Sequence, residues 1–172
     1  VDPAVAFLRG AGAELRLHTR LRSIVIGGSR ARLLNFAGGG GTEVPIGADE
    51  SLVLAVPPAA AAALMPGLTT PQHSRAIVNA HFRLDDAVPQ PDFVGLVSAT
   101  AQWIFVRDDI ASVTVSAADG LAEESNEAIA ARLWPEVQQA LRLPAASLPR
   151  HRIVKEKRAT FAQTPAEAAR RP

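Results

Sequence analysis

Four charged residues in a row, Lys155-Glu156-Lys157-Arg158, interrupt the run "HRIVKEKRATFAQTP", His151 to Pro165. A lysine in an apolar wall has its charged form disfavoured and can give up a proton near neutrality, so the run has the makings of the lip of a site. The same charges on a solvated edge strand would protect that edge from pairing with another chain. Read as a strand, Ile153, Lys155, Lys157, Ala159 and Phe161 share one face, and Val154, Glu156, Arg158 and Thr160 the other. Each face passes from apolar to charged to less charged. That is the pattern of a strand leaving one environment for another, such as a cleft between domains.

A second group sits in "QWIFVR". Trp103, Phe105 and Arg107 are spaced by two, so one strand face carries two aromatics and a cation. They could line an apolar pocket, or pack in the core with the arginine reaching out to water. Periodicity alone favours the core, since apolar strand faces are usually buried. Other chemistry finds little support. The four histidines, His18, His73, His81 and His151, are scattered without ligand spacing, so no metal site is expected. Gly38 to Gly41 join two strand-like segments, not a strand and a helix, and read as a hairpin loop and not a phosphate cradle. The acid pairs Asp85-Asp86 and Asp108-Asp109 sit at turns, where aspartate is favoured by local hydrogen bonding alone.

The bulk composition narrows the class. With 172 residues, 48% hydrophobic and 20% charged, the chain is long enough for a real core and has the balance of a globular protein. A net charge of +1 without a basic cluster argues against nucleic acid. There is no cysteine, which excludes disulfides and thiolate chemistry. No stretch approaches the ~18 apolar residues of a spanning helix; the longest, Leu52 to Met65, is broken by Pro57-Pro58.

The elements that must position these residues follow from periodicity and punctuation. The start, "AVAFLRGAG", reads as the last turns of a helix stopped at Gly10 and Gly12, with no signal or transit peptide, and we expect an internal piece of a larger protein. Leu15, Leu17 and Leu21 alternate with polar residues as a half-buried strand that continues through Ser23 to Ile26, turns at Gly27-Gly28 and returns over Arg30 to Phe36. Ser51 to Pro58, "SLVLAVPP", is a continuous apolar run typical of a strand covered on both faces, and a short helix follows its prolines. Arg75 to Asp85 and Asp92 to Ser98 are strand-like. Gln102 to Val106 and Ala111 to Ala117 form a hairpin about Asp108-Asp109. Ile129, Leu133, Val137, Ala140 and Leu141 have helical spacing, with Ser125 or Asn126 as N-cap and Pro135 expected to kink or split the helix. The order of elements is α+β, with a mixed, largely antiparallel sheet and a few helices.

Two pieces of sequence carry a resemblance. "GAELRLHTRLRSIVIGG", "LNFAGG" and "ADESLVLAVPPAAAAALMPGL" resemble the middle of flavin-dependent amine oxidases and phytoene-desaturase-like proteins. "QWIFVR", "VTVSAADG" and above all "RIVKEKRATFAQTPAEAARRP" are similar to a narrower group, the squalene-associated FAD-dependent desaturases, or hydroxysqualene dehydroxylases, of bacterial hopanoid synthesis. The family's N-terminal G-x-G-x-x-G unit, which holds the dinucleotide pyrophosphate, and its C-terminal Gly-Asp motif have no counterpart here.

The resemblance implies residues 1–66 as part of an FAD domain, its Rossmann portion missing, and 67–172 as a substrate domain. It implies FAD in the parent enzyme but not on this piece, with Leu21, Ala55, Val56, Pro57, Thr160 and Phe161 beside the cofactor; Pro165 falls in the same flavin-side segment. The substrate would be a long isoprenoid, met by Trp103, Phe105 and Arg107. The reaction would be reductive loss of the hydroxyl of hydroxysqualene, with Lys155, Lys157 and Arg158 as acids or electrostatic partners. A carotenoid or phytoene desaturase, an amine oxidase, or a stand-alone α+β binding or dimerisation domain are the alternatives. The location implied is cytoplasmic, with peripheral contact to the inner membrane left open. Cut from its Rossmann partner, the "SLVLAVPP" strand is expected to pair elsewhere or expose an apolar face, predicting a homo-oligomer.

Overall fold

The computed structural model describes residues 2–38, 42–85 and 93–171. It is α+β, with two antiparallel sheets, as the order of sequence patterns predicts. The described residues up to Thr70 form one unit and Pro71–Arg171 the other.

The first unit opens with α1 (Asp2–Gly10). Its end is a Schellman turn. Gly12 takes φ +82°, the Ala13 N–H donates to the Leu8 carbonyl at 2.9 Å, and the Gly12 N–H to Arg9 at 3.0 Å. Strands β1 (Arg20–Gly27), β2 (Arg30–Ala37) and β3 (Thr42–Pro45) make a meander, and α2 (Pro58–Leu64) follows. The hairpin about Gly28 is as expected; of the proposed Gly38–Gly41 loop, residues 39–41 lie outside the described residues.

Two expectations fail in this unit. Leu15 and Leu17 are not in a strand. His18 adopts φ +57°, which breaks the extended backbone, and Leu17 is 67% exposed, so the alternation has no covered face to serve. Ser51 to Pro57 is not a strand either, because among the described residues no neighbour supplies a ladder. Its side chains stay open, Val53 at 85%.

The second unit holds β4 (Ser74–Arg83), β5 (Phe93–Gly95), β6 (Trp103–Arg107), β7 (Ile110–Ser116), α3 (Asp119–Ala122), α4 (Asn126–Leu141), β8 (His151–Phe161) and α5 (Pro165–Ala168). The strands form one antiparallel sheet in the order β5-β6-β7-β4-β8. Helix α4 lays Ile129, Leu133 and Val137 on one face of it, against Val78, Ala80 and Phe82 of β4, Ile104 of β6 and Val113 of β7, all fully buried. The Phe82 ring lies 5.3 Å from that of Trp134. Asp86 and Asp92, placed above in a turn and a strand, lie outside the described residues.

Ser125 caps α4, its Oγ accepting the Ala128 N–H at 3.1 Å. Pro135 does not split the helix, which runs unbroken to Leu141. Buried side chains on both sides of the proline, Leu133, Trp134 and Val137, hold the two halves against one sheet, and this packing outweighs the lost backbone bond. Glu136 adds a tie to the loop before β6, accepting the Thr100 N–H at 2.9 Å and the Ala101 N–H at 2.6 Å. Where β7 ends, Ala118 and Asp119 continue its ladder: the Ala118 N–H donates to the Ala76 carbonyl, and the Ala76 N–H to Asp119 Oδ1 at 2.8 Å.

Candidate functional site

A sheet has two faces, and α4 covers only one of these. Cross-strand partners share a face, so the pairings assign every side chain. On the α4 side run Val106–Ala111–Phe82–His151, Ile104–Val113–Ala80–Ile153 and Val115–Val78–Lys155. On the other side run Trp103–Thr114–Asn79–Val154 and Phe105–Ser112–His81–Arg152.

That second face is aromatic at its β5–β6 end. Trp103 is 45% exposed and Phe105 47%, while Ile104 between them is fully buried. The core reading of Trp103 and Phe105 is therefore corrected: the alternation is as expected, but it is Ile104 that faces α4. Phe93, opposite Phe105, lies 6.2 Å from both the Trp103 and the Phe105 ring. Gly95 is opposite Trp103, and a Cβ there would come within 3.1 Å of the indole, so the absence of a side chain lets the ring lie across the strand. Arg107 continues this face, beside the groove that Phe93, Phe105 and Ser112 help to line. Toward β4 the wall turns polar: Ser112 Oγ is 2.9 Å from His81 Nδ1, and Thr114 Oγ1 donates to Asn79 Oδ1 at 2.7 Å.

The charged run of β8 lies elsewhere. β8 is an edge of the sheet among the described residues. Lys155, half-buried, faces the helices, and its Nζ donates to the Glu124 carbonyl between α3 and α4. Lys157 Nζ is 2.8 Å from Glu123, whose carboxyl it holds below its ordinary range through that hydrogen bond and its charge. Arg158 sits in an irregular stretch where Glu156 pairs with Ile77 but Thr160 with Arg75, so two extra residues are accommodated in β8. Its N–H donates to Glu156 Oε1 at 3.0 Å. An even insertion leaves the alternation intact. Lys155 and Lys157 thus stand on the opposite side of the sheet from Trp103, Phe105 and Arg107; the structure does not bring the two groups together.

Of the residues placed beside a cofactor by resemblance, Leu21 is half-buried in β1 opposite Phe36. Ala55 and Val56 are in the unpaired stretch, and the Pro57 carbonyl starts α2 by accepting from Ala60 and Ala61. Thr160 is exposed near the end of β8, and Phe161 is half-buried with the Arg171 guanidinium 5.5 Å over its ring. Beyond it, Thr164 caps α5 and buried Glu167 accepts from the Gln72 N–H at 2.7 Å and His73 Nδ1 at 2.6 Å. No group of three metal-ligating side chains occurs among the described residues, and no described helix is long and apolar enough to cross a membrane.

Sequence reasoning missed His81 and Ser112. Each is an ordinary polar residue on a strand, and only the register places them beside one another.

No protein-family model matches the chain. Three relatives match all of it: hydroxysqualene dehydroxylases of Rhodopseudomonas palustris, Sinorhizobium fredii and Zymomonas mobilis, at 42%, 40% and 34% identity over 172 residues. The chain spans 40%, 40% and 41% of their respective lengths. From end to end, the chain is homologous to one segment of the hydroxysqualene dehydroxylase family.

Proposed function

We propose that the protein to which this segment belongs removes the hydroxyl group of hydroxysqualene reductively, and that the segment supplies part of the wall against which the isoprenoid lies. The observation that carries this reading is the similarity over all 172 residues to three proteins of that name. The geometry adds a surface of suitable chemistry. Trp103, Phe105 and Phe93 make an open aromatic patch, and a long hydrocarbon gains by leaving water for such a patch.

FAD belongs to the same proposal, as the source of the two electrons. The described residues do not build its site by themselves: no glycine-rich turn leads from a strand into a helix, and the Leu52–Pro57 stretch offers only apolar side chains. No step is therefore assigned through the cofactor. What this chain contributes is the substrate face of the five-stranded sheet, with Trp103, Phe105 and Arg107 on it. Lys155 and Lys157 serve the fold instead, tying β8 to the α3–α4 junction.

The test is to purify the protein encoded by the reading frame that contains this chain, record its visible absorbance, and supply hydroxysqualene under reducing conditions. Flavin absorbance with squalene as product is expected. A colourless protein that takes up no FAD and leaves hydroxysqualene untouched would refute the reading.

A further inference from the structure

On the open face of the five-stranded sheet, one cross-strand row reads Phe105–Ser112–His81–Arg152. Its first member is part of the aromatic patch, and its third is a group able to carry a proton at neutral pH. His81 is held in place. It is half-buried on β4, and its Nδ1 lies 2.9 Å from Ser112 Oγ on the adjacent strand. Nε2 has no hydrogen-bond partner among the described residues. A positioned imidazole with one nitrogen anchored and the other free, on the polar part of a face whose far end is aromatic, is an arrangement suited to general acid catalysis.

The geometry points to His81, oriented by Ser112, as the group that receives the substrate's hydroxyl and gives it the proton with which it leaves. This rests on the function proposed above and names the acid that reading needs. In the imidazolium, Nδ1–H donates to Ser112 Oγ and Nε2–H to the hydroxyl oxygen. The carbon–oxygen bond then breaks with its electron pair going to oxygen, and the hydroxyl departs as water with the histidine's proton. The carbon takes a hydride from a two-electron donor, and neutral His81 is reprotonated from solvent.

The distribution of polar groups agrees with this. A hydrocarbon with one hydroxyl needs an apolar wall that ends at a polar group able to meet it, since an unmet hydroxyl is strongly disfavoured. On this face the aromatic side chains of β5 and β6 give way to Ser112, Thr114, Asn79 and His81 on β7 and β4. Lys155 and Lys157 cannot fill the role from the other side of the sheet, where both already donate to the α3–α4 junction. Around His81 on its own face, Arg152 is directly opposite on β8, Arg83 lies two residues along β4 and is paired with Asp109, and Arg107 and Glu156 stand further off.

The experiment uses the full protein and two substitutions. His81→Gln keeps a hydrogen-bond donor but no transferable proton; we expect KM to hold while kcat falls by about 10²–10⁴-fold. A fall in wild-type kcat with rising pH, as the acid loses its proton, should vanish in this variant. His81→Phe removes the donor, and binding followed by Trp103 fluorescence should lose its preference for hydroxysqualene over squalene. Ser112→Ala, which leaves the imidazole in place but unanchored, should give a smaller loss of kcat, and an unaltered urea midpoint verifies folding of each variant. Wild-type kcat, pH profile and hydroxyl preference in both His81 variants would overturn the assignment while leaving the proposed reaction standing. A wild-type protein that neither binds nor converts hydroxysqualene would instead bring down the proposed reaction and this assignment with it.

Discussion

Glu167 and His73 meet at 2.6 Å across a sequence separation of 94 residues, and the glutamate is only 4% exposed. An ionised carboxylate only accepts, so His73 Nδ1 carries the hydrogen. With the Gln72 N–H on its other oxygen, Glu167 joins the residues beyond β8 to those before β4. Both edges of that link are sequence-distant, yet they close one unit.

The pH dependence of this link has a definite sign. The hydrogen bond from His73, then that from the Gln72 N–H, holds the Glu167 carboxyl below its ordinary range. A carboxyl lowered on folding adds stability that is present above its unfolded value and lost as pH falls through the folded one. Urea midpoints followed downward from neutral pH should therefore decline through the carboxylate range. The Glu167→Gln variant should decline less steeply there, and identical slopes would count against the link.

Phe82 is fully buried, 5.3 Å from Trp134 and 6.2 Å from His151 by ring centroids. Phe82→Ala should destabilise the second unit by about 3–5 kcal/mol through lost burial and the cavity left behind. Chemical denaturation with Trp134 fluorescence as probe measures this directly.

The two tryptophans, Trp103 at 45% exposure and Trp134 at 7%, give a built-in test of the open face. Acrylamide should quench Trp103 and spare Trp134. Adding hydroxysqualene should protect Trp103, and Trp103→Phe should abolish the ligand-dependent signal while raising KM. Replacing Gly95 by valine should disturb the same signal, because the new side chain meets the indole.

Lys155 donates to a backbone carbonyl, so Lys155→Met should lower stability by about 1 kcal/mol, the usual net worth of such a bond. Lys157→Met, breaking an exposed ion pair, should leave the urea midpoint unchanged. Both should retain wild-type kcat in the full protein. A large loss of turnover in a stably folded Lys155 variant would restore the lysine to the chemistry.

The first unit leaves Val53 85% and Phe7 75% exposed, and Leu34 is its one buried large apolar residue among those described. Expressed alone, the chain should self-associate through these surfaces. Sedimentation should show a dimer or larger, shifting toward monomer in Val53→Lys; a monomer at high concentration for the unmodified chain would contradict this.

Local signals were legible wherever the physics is local. The spacing of Ile129, Leu133 and Val137, the Ser125 cap, the turns at Gly28 and Asp108, the strands at β4 and β7, and the alternation of β6 and β8 are all properties of short stretches, and each appears as expected. Ser51 to Pro57 shows the limit of such reasoning. Its composition suits a buried strand, but a strand exists only with a neighbour to pair with.

The sequence by itself determined the α+β class and the two-residue period of the sheet. Only the tertiary structure decided which face of each strand is which. Alternation says that Trp103 and Ile104 point to opposite sides, and is silent on the side α4 will cover. That choice depends on register across five strands and on a helix encoded some thirty residues away. The same long-range choice sends Lys155 toward the helices and sets His81 beside Ser112, so the acid proposed here is a histidine with no motif around it and not a member of the conspicuous charged run.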